Sequence, residues 1–107
     1  MLSSAPLTHY VIVRADLPRG IQAANVIHAA GESSPGNLAE GTHAICLVVP
    51  DEPALLAVEE KLRERGVAHV ACREPDAPYH GAIMSIGVVP GPKEALRKHL
   101  SSSPLLR

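Results

Sequence analysis

Two hydrogen-bonding side chains, Asn25 and His28, occur in an otherwise apolar, alanine-rich stretch of the sequence. Together with Ile21 they fall at positions i, i+4 and i+7 of a predicted helix, which places them in one stripe on one face. Polar groups on such a face need hydrogen-bonding partners or a cavity, so this stripe is a candidate for chemistry. A single helical histidine is more often a satisfied core residue, and both interpretations of His28 stay open.

Charged side chains also follow the first three predicted strands. They are Arg14 and Asp16 after the first strand, Asp51 after the second, and Arg73, Glu74 and Asp76 after the third. Ligands of α/β sheets bind beyond the carboxyl ends of parallel strands. The first helix begins at the same edge, beside Arg19 and Gly20, and its free N–H groups and dipole favour anions there. The sequence therefore predicts a site for a phosphate- or carboxylate-bearing ligand, with Asp76 or Glu74 as a candidate general base.

Apolar runs and turn residues divide the chain into four strands and three helices. The predicted strands are Thr8–Arg14, Thr42–Val49, Val67–Arg73 and Gly81–Val89, and the predicted helices are Ile21–Ala30, Glu52–Arg65 and Lys93–Leu100. Asp51 is suited to cap the second helix, and Gly66 is suited to end it. Met1–Leu7 is predicted to be a loose leader, Gly31–Gly41 and Glu74–His80 to be loops, and Ser101–Arg107 to be a frayed tail. Tyr79 and His80 are interpreted as simple loop residues.

The alternation of strands and helices determines the predicted architecture. Strand–helix–strand–helix–strand order requires right-handed crossovers and a parallel arrangement of the first three strands. The short link between the third and fourth strands makes that pair antiparallel. We therefore expect one α/β domain over residues 1–107, a three-layer sandwich in which a four-stranded mixed sheet has helices on both faces.

Composition restricts the classes of function. Of the 107 residues 46% are hydrophobic, but only 2% are aromatic, which disfavours binding of single-stranded nucleic acid by base stacking. The net charge of −1 requires that any RNA contact come from a local patch. Cys46 and Cys72 lack CxxC spacing and are predicted to be reduced thiols, and no segment is typical of a signal peptide or a membrane span. The sequence indicates a cytoplasmic protein that uses no cofactor and no metal.

Several segments, in order, resemble the signature of the type 2 peptidyl-tRNA hydrolase family. They are Arg14-Ala15-Asp16-Leu17, Gly20, Ala23-Ala24-Asn25, His28-Ala29-Ala30, Val48-Val49-Pro50-Asp51-Glu52, Ile86-Gly87 and Pro90-Gly91-Pro92. The resemblance covers nearly the whole chain. It implies a four-stranded mixed sheet flanked by helices, a homodimer, and metal-free hydrolysis of the ester that joins a peptide to the terminal ribose of tRNA.

The chain also departs from that family pattern. Ile21 and Val48 stand where the family has lysines, Asn25 stands where it has glutamine, and no threonine follows the acidic residues of the loop after the third strand. Each lysine lost from a phosphate contact reduces by about one the slope with which the logarithm of the tRNA-binding constant falls against the logarithm of salt concentration. Loss of a group that stabilises an oxyanion costs about 10²–10³ in rate.

Two functions of different class follow. The first is an esterase that cleaves peptidyl-tRNA, in which Asp76 or Glu74 activates water and His28 and Asn25 orient the reacting groups. In that reading Arg14, Arg19 and Arg73 hold the tRNA end, with Asp16 and Gly20 completing the site. The second is a catalytically degenerate relative that keeps the fold and binds a small acidic ligand or another protein. A purely structural dimerising domain is a third hypothesis.

Overall fold

The sheet is built around β1 (Leu7–Arg14), a strand buried along nearly its whole length. The computed structural model describes residues 6–107, so most of the predicted leader lies outside the described residues, while Leu7 belongs to β1. The remaining elements are α1 (Arg19–Ser33), β2 (His43–Val49), α2 (Glu52–Glu64), β3 (His69–Glu74), β4 (Ala82–Val88), β5 (Gly91–Pro92) and α3 (Lys93–Arg97).

The open, mixed sheet has the strand order β2–β1–β4–β3, and the short β5 pairs with the start of β1. β1 and β2 are parallel, with Thr8 opposite His43 and Arg14 opposite Val49. β4 is antiparallel to both of its neighbours, β1 and β3. The predicted α/β class, the mixed sheet and the antiparallel last pair are confirmed. β3 runs in the same direction as β1, as expected, but β4 lies between them, so the three parallel strands do not form one continuous block.

The core divides into two hydrophobic clusters, and β1 contributes to both because its side chains alternate. Tyr10 and Ile12 belong to a large cluster that includes Leu55 and Leu62 of α2. Val11 belongs to a smaller cluster with Ala29 of α1. This alternation supports the predicted placement of helices on both faces, which stays a prediction here.

α1 is longer than predicted, because Gly31 to Ser33 continue the helix instead of beginning a loop. The last turn packs directly on β4 at Gly87, where an added Cβ would lie 2.2 Å from the carbonyl oxygen of Ala29. The Ser33 hydroxyl donates to that same carbonyl at 2.6 Å and accepts from Nε2 of the buried His9 at 2.7 Å. Close packing on a glycine therefore extends the helix beyond what local propensity indicates.

α2 has the predicted ends. The Asp51 carboxylate accepts from the backbone N–H of Ala54 at 3.0 Å, and Gly66 follows the helix with a positive φ of 66°. Glu52 in the first turn extends to β4, where its carboxylate accepts from the Ile83 N–H at 3.2 Å. Among the helices of residues 6–107, none combines the length and apolar character needed to cross a bilayer.

The carboxyl-terminal segment differs from its prediction. α3 ends at Arg97 instead of Leu100, and Ser101–Arg107 is not frayed. Instead the backbone N–H of Val48 donates to the Pro104 carbonyl, and that of Leu106 to the Cys46 carbonyl, both at 2.9 Å. The segment thus covers the outer edge of β2, which would otherwise expose unpaired backbone groups. The proline and serine content favoured a frayed tail. The sequence did not indicate the edge pairing because that interaction is non-local.

Candidate functional site

A cavity of about 370 Å³ lies between α1 and the loop that joins β3 to β4. Its wall on the helix side contains Gly20, Asn25 and His28, and its wall on the loop side contains Glu74 and Asp76. The structure therefore brings the predicted helical stripe and both predicted acids to one place, beside the amino end of α1. These side chains supply an imidazole, an amide and two carboxylates, the group types that general acid–base catalysis uses.

The helix side of the cavity is held in place by hydrogen bonds. Asn25 is buried, and its side-chain Nδ2 donates to the Ile21 carbonyl one turn earlier at 2.9 Å. The Ser85 hydroxyl of β4 donates to the backbone carbonyl of Asn25 at 2.9 Å, which ties this turn of α1 to the sheet. His28 is exposed, so it is not the satisfied core histidine of the alternative interpretation. It is accessible to a ligand.

Backbone hydrogen bonds hold the β3–β4 loop, which forms the other wall of the cavity, in a folded turn. The Gly81 N–H donates to the Glu74 carbonyl at 2.7 Å, and the N–H groups of Tyr79 and His80 both donate to the Asp76 carbonyl at 3.0 Å. The Asp76 N–H also donates to Oε1 of the Glu74 side chain at 3.1 Å. The two acids thus belong to one folded turn, in which residue Glu74 is half-buried and Asp76 is exposed.

A second cavity, of about 320 Å³, shares Asn25, His28 and Glu74 with the first and adjoins it. Its wall includes Cys72, whose Sγ donates to the Glu32 carboxylate at 2.9 Å. Burial, reinforced by this hydrogen bond to Glu32, raises the pKa of the Cys72 thiol to about 12. Since the thiolate is the nucleophilic form, Cys72 is not a candidate nucleophile near neutral pH.

Arg14 does not line either cavity. Its Nε and Nη2 donate to the two carboxylate oxygens of Asp16 at 2.9 and 3.0 Å, and its Nη1 donates to the Ile83 carbonyl at 3.0 Å. The hydrogen bond to Asp16 raises the pKa of Arg14, and the same bond lowers the pKa of Asp16. The pair thus ties the end of β1 to the start of β4, away from both cavities, and the substrate-binding roles of Arg14 and Asp16 stay predictions.

The other two predicted arginines are separated. Arg73 lines the smaller cavity and donates from Nη1 to the Gly81 carbonyl at 3.0 Å. Arg19 is exposed and lines a different cavity, on the other flank of α1. Glu74, Asp76 and the amino end of α1 line one cavity, whereas Asp16 and the three predicted arginines do not line it.

Three further residues of the cavity walls were not selected from the sequence. Glu32 lies four residues after His28, so helical spacing could have identified it. Tyr79 lines the larger cavity although it was interpreted as a simple loop residue. Met84 lines that cavity because a register shift pairs Cys72 with Ser85 and Arg73 with Ile83, which leaves Met84 as the extra residue of a bulge. No local sequence signal indicates that bulge.

Comparison with protein-family models and with curated proteins found no match to this chain. In the part of the chain that the structure describes, no group of three or more His, Cys, Asp or Glu side chains is arranged to hold a metal ion.

Proposed function

We propose that this protein is an esterase of the peptidyl-tRNA hydrolase type, which hydrolyses the ester between a peptide and the terminal ribose of tRNA. The observation that carries the proposal is the single cavity that unites Asn25, His28, Glu74 and Asp76 beside the amino end of α1. The ordered resemblance to the type 2 peptidyl-tRNA hydrolases supplies the substrate class.

In the proposed reaction a water molecule attacks the ester carbonyl while a carboxylate accepts its proton. Glu74 is the better candidate for this base, because the Asp76 N–H holds its carboxylate in place and because it lines both cavities. Asn25 and His28 donate N–H groups toward the oxyanion that develops on the carbonyl oxygen. The proton on the carboxyl group then passes to the leaving ribose oxygen, which completes hydrolysis and restores the base.

Charge at the site limits affinity for tRNA. Glu32, Glu74 and Asp76 line the two adjoining cavities, whereas the one arginine among their lining residues, Arg73, lines only the smaller cavity. Phosphate contacts by Lys and Arg determine how steeply nucleic-acid binding falls with salt. The proposal therefore predicts a high KM and a shallow dependence of tRNA binding on ionic strength.

The test measures release of labelled peptide from N-acetylaminoacyl-tRNA by the purified chain. Wild-type protein is expected to turn over substrate, and Glu74→Gln is expected to lower kcat by about 10²-fold or more, as removal of a general base does. Asp76→Asn should lower it less if Glu74 is the base, and the reverse order would assign the base to Asp76. Glu40→Gln is the matched control, because Glu40 is exposed and lines neither cavity. Absence of turnover by folded wild-type protein would refute the proposal.

The binding-module alternative is favoured by one specific observation, the excess of carboxylates over guanidinium groups in the adjoining cavities. Such a lining favours an amine-bearing ligand over the acidic ligand that the sequence suggested. Thermal stabilisation by a small amine such as putrescine, lost in Glu74→Gln and accompanied by no turnover of peptidyl-tRNA, would establish this alternative. Turnover without amine stabilisation would exclude it.

A further inference from the structure

A cavity of about 660 Å³, larger than either cavity of the candidate site, lies on the flank of α1 opposite that site. We call it the α1–tail groove. It is lined by Arg19, Gln22, Ala23, Val26, Ile27, Cys46, Leu106 and Arg107. Helical periodicity separates the two flanks, since Arg19, Ala23 and Val26 follow i, i+4, i+7 spacing on one side and Ile21, Asn25 and His28 do so on the other. The groove shares no lining residue with either cavity of the candidate site.

The far wall of the groove is held by backbone pairing. The Leu106 N–H donates to the carbonyl of Cys46, a residue of β2 that lines the groove, at 2.9 Å. Leu106 and Arg107 therefore face α1 from a segment with a defined position. The opposite wall carries Ile27, which is 71% exposed, the most exposed large hydrophobic side chain of the described chain. An apolar channel between two fixed elements, of a volume typical for ligand sites, is typical of a binding groove.

The charged side chains that line the groove have one sign. Arg19 and Arg107 contribute guanidinium groups, no Asp or Glu side chain lines the groove, and within residues 6–107 neither arginine forms an ion pair. The Gln22 amide is engaged elsewhere, since its Nε2 donates to the carbonyls of Ala15 and Leu17 at 3.2 and 2.7 Å. The lining thus combines aliphatic side chains with two positively charged ones.

From this combination we infer that the α1–tail groove binds an amphipathic anion, a molecule with an aliphatic chain and one carboxylate or phosphate group. The chain packs on Val26, Ile27 and Leu106, where it covers exposed aliphatic surface. The head group lies between the two guanidinium groups, whose planar donors match a carboxylate or phosphate. The inference does not depend on the proposed esterase function, because the two sites lie on opposite flanks of α1.

Isothermal titration of the full chain with dodecanoate tests the inference, and dodecylammonium of the same chain length is the matched probe. Dodecanoate is expected to bind with one-to-one stoichiometry, at least tenfold more tightly than dodecylammonium. Arg19→Gln should weaken dodecanoate binding about two- to fivefold, the range of an exposed ion pair. Lys98→Gln removes the same charge from an exposed position outside the groove and should leave binding unchanged.

A second pair of variants tests the apolar wall. Ile27→Asp places a negative charge on an already exposed position, so the fold should be retained while dodecanoate binding is lost. Leu38→Asp is the control, since Leu38 is 44% exposed and lies outside the groove. Equal binding of both probes, or equal effects of Arg19→Gln and Lys98→Gln, would overturn the inference. So would a dimer, seen by light scattering, that Ile27→Asp dissociates, because the groove would then be an interface between two copies.

Discussion

Replacement of Gly87 by alanine tests how closely α1, the helix that carries Asn25 and His28, must approach the sheet. A Cβ at Gly87 would lie 2.2 Å from the Ala29 carbonyl oxygen and 2.4 Å from the Ser33 hydroxyl, whereas ordinary contact begins at 3.4 Å. The obstructing atoms are the Ala29 carbonyl oxygen and the Oγ and Cβ of Ser33. The helix backbone fixes the carbonyl oxygen and the Cβ, so α1 must move outward by about 1 Å to restore normal contact.

The cost of Gly87→Ala follows from that displacement. Overpacking costs about 1–3 kcal/mol, and loss of the hydrogen bond from His9 to Ser33 adds about 1 kcal/mol. We expect the free energy of unfolding to fall by about 2–4 kcal/mol, as measured by urea denaturation followed by far-UV circular dichroism. The melting temperature should fall by about 10–20 °C for a domain of this size.

Gly31→Ala is the matched control, because Gly31 lies within α1 and a Cβ there would meet nothing within 4 Å. The same substitution should therefore stabilise the protein by about 0.5–1 kcal/mol, the difference in helix propensity between alanine and glycine. The two glycines thus give effects of opposite sign. A Gly87→Ala variant as stable as the wild type, or a destabilised Gly31→Ala variant, would refute the packing argument.

Three further predictions concern single side chains. Burial lowers the pKa of His9, so the unfolded chain takes up a proton before the native one does; the free energy of unfolding should fall as the pH drops below about 6.5, and His9→Gln should reduce that slope in urea titrations between pH 7 and 5. Asp51→Ala removes the cap of α2 and should cost about 1 kcal/mol in the same assay, and an unchanged midpoint would contradict the capping argument. Cys72, with a pKa raised to about 12, should resist iodoacetamide at pH 8 in native protein and react in urea, as peptide mass analysis would show; rapid native alkylation would contradict this protection.

Local patterns in the sequence were sufficient to predict most elements of the fold. The apolar runs correspond to β1, β2, β3 and β4, and the capping pattern around Asp51 and Gly66 correctly delimits α2. Non-local interactions account for the differences. The position of β4 between β1 and β3 depends on pairing across the whole sheet, and the extension of α1 to Ser33 depends on Gly87, which lies more than fifty residues away.

The candidate site was predicted only in part, again because some of its contacts are non-local. Helical spacing placed Asn25 and His28 together, and strand-end logic placed Glu74 and Asp76 opposite them. Residue type alone could not show that Arg14 has its donors engaged, because one acceptor, the Ile83 carbonyl, lies on a strand 69 positions later in the chain. Similarly, Arg19 begins α1 beside the site, but its side chain faces the opposite flank of the helix.

The most direct test of the proposed site is to map which residues a substrate analogue contacts. A peptidyl-adenosine in which an amide replaces the ester is a minimal, slowly hydrolysed probe, and titration into isotopically labelled protein reports which backbone N–H groups it affects. We predict chemical-shift changes that cluster at Asn25, His28, Glu74 and Asp76. Changes confined to the α1–tail groove, or none at saturating probe, would contradict the assignment of the cavity between α1 and the β3–β4 loop as the catalytic site.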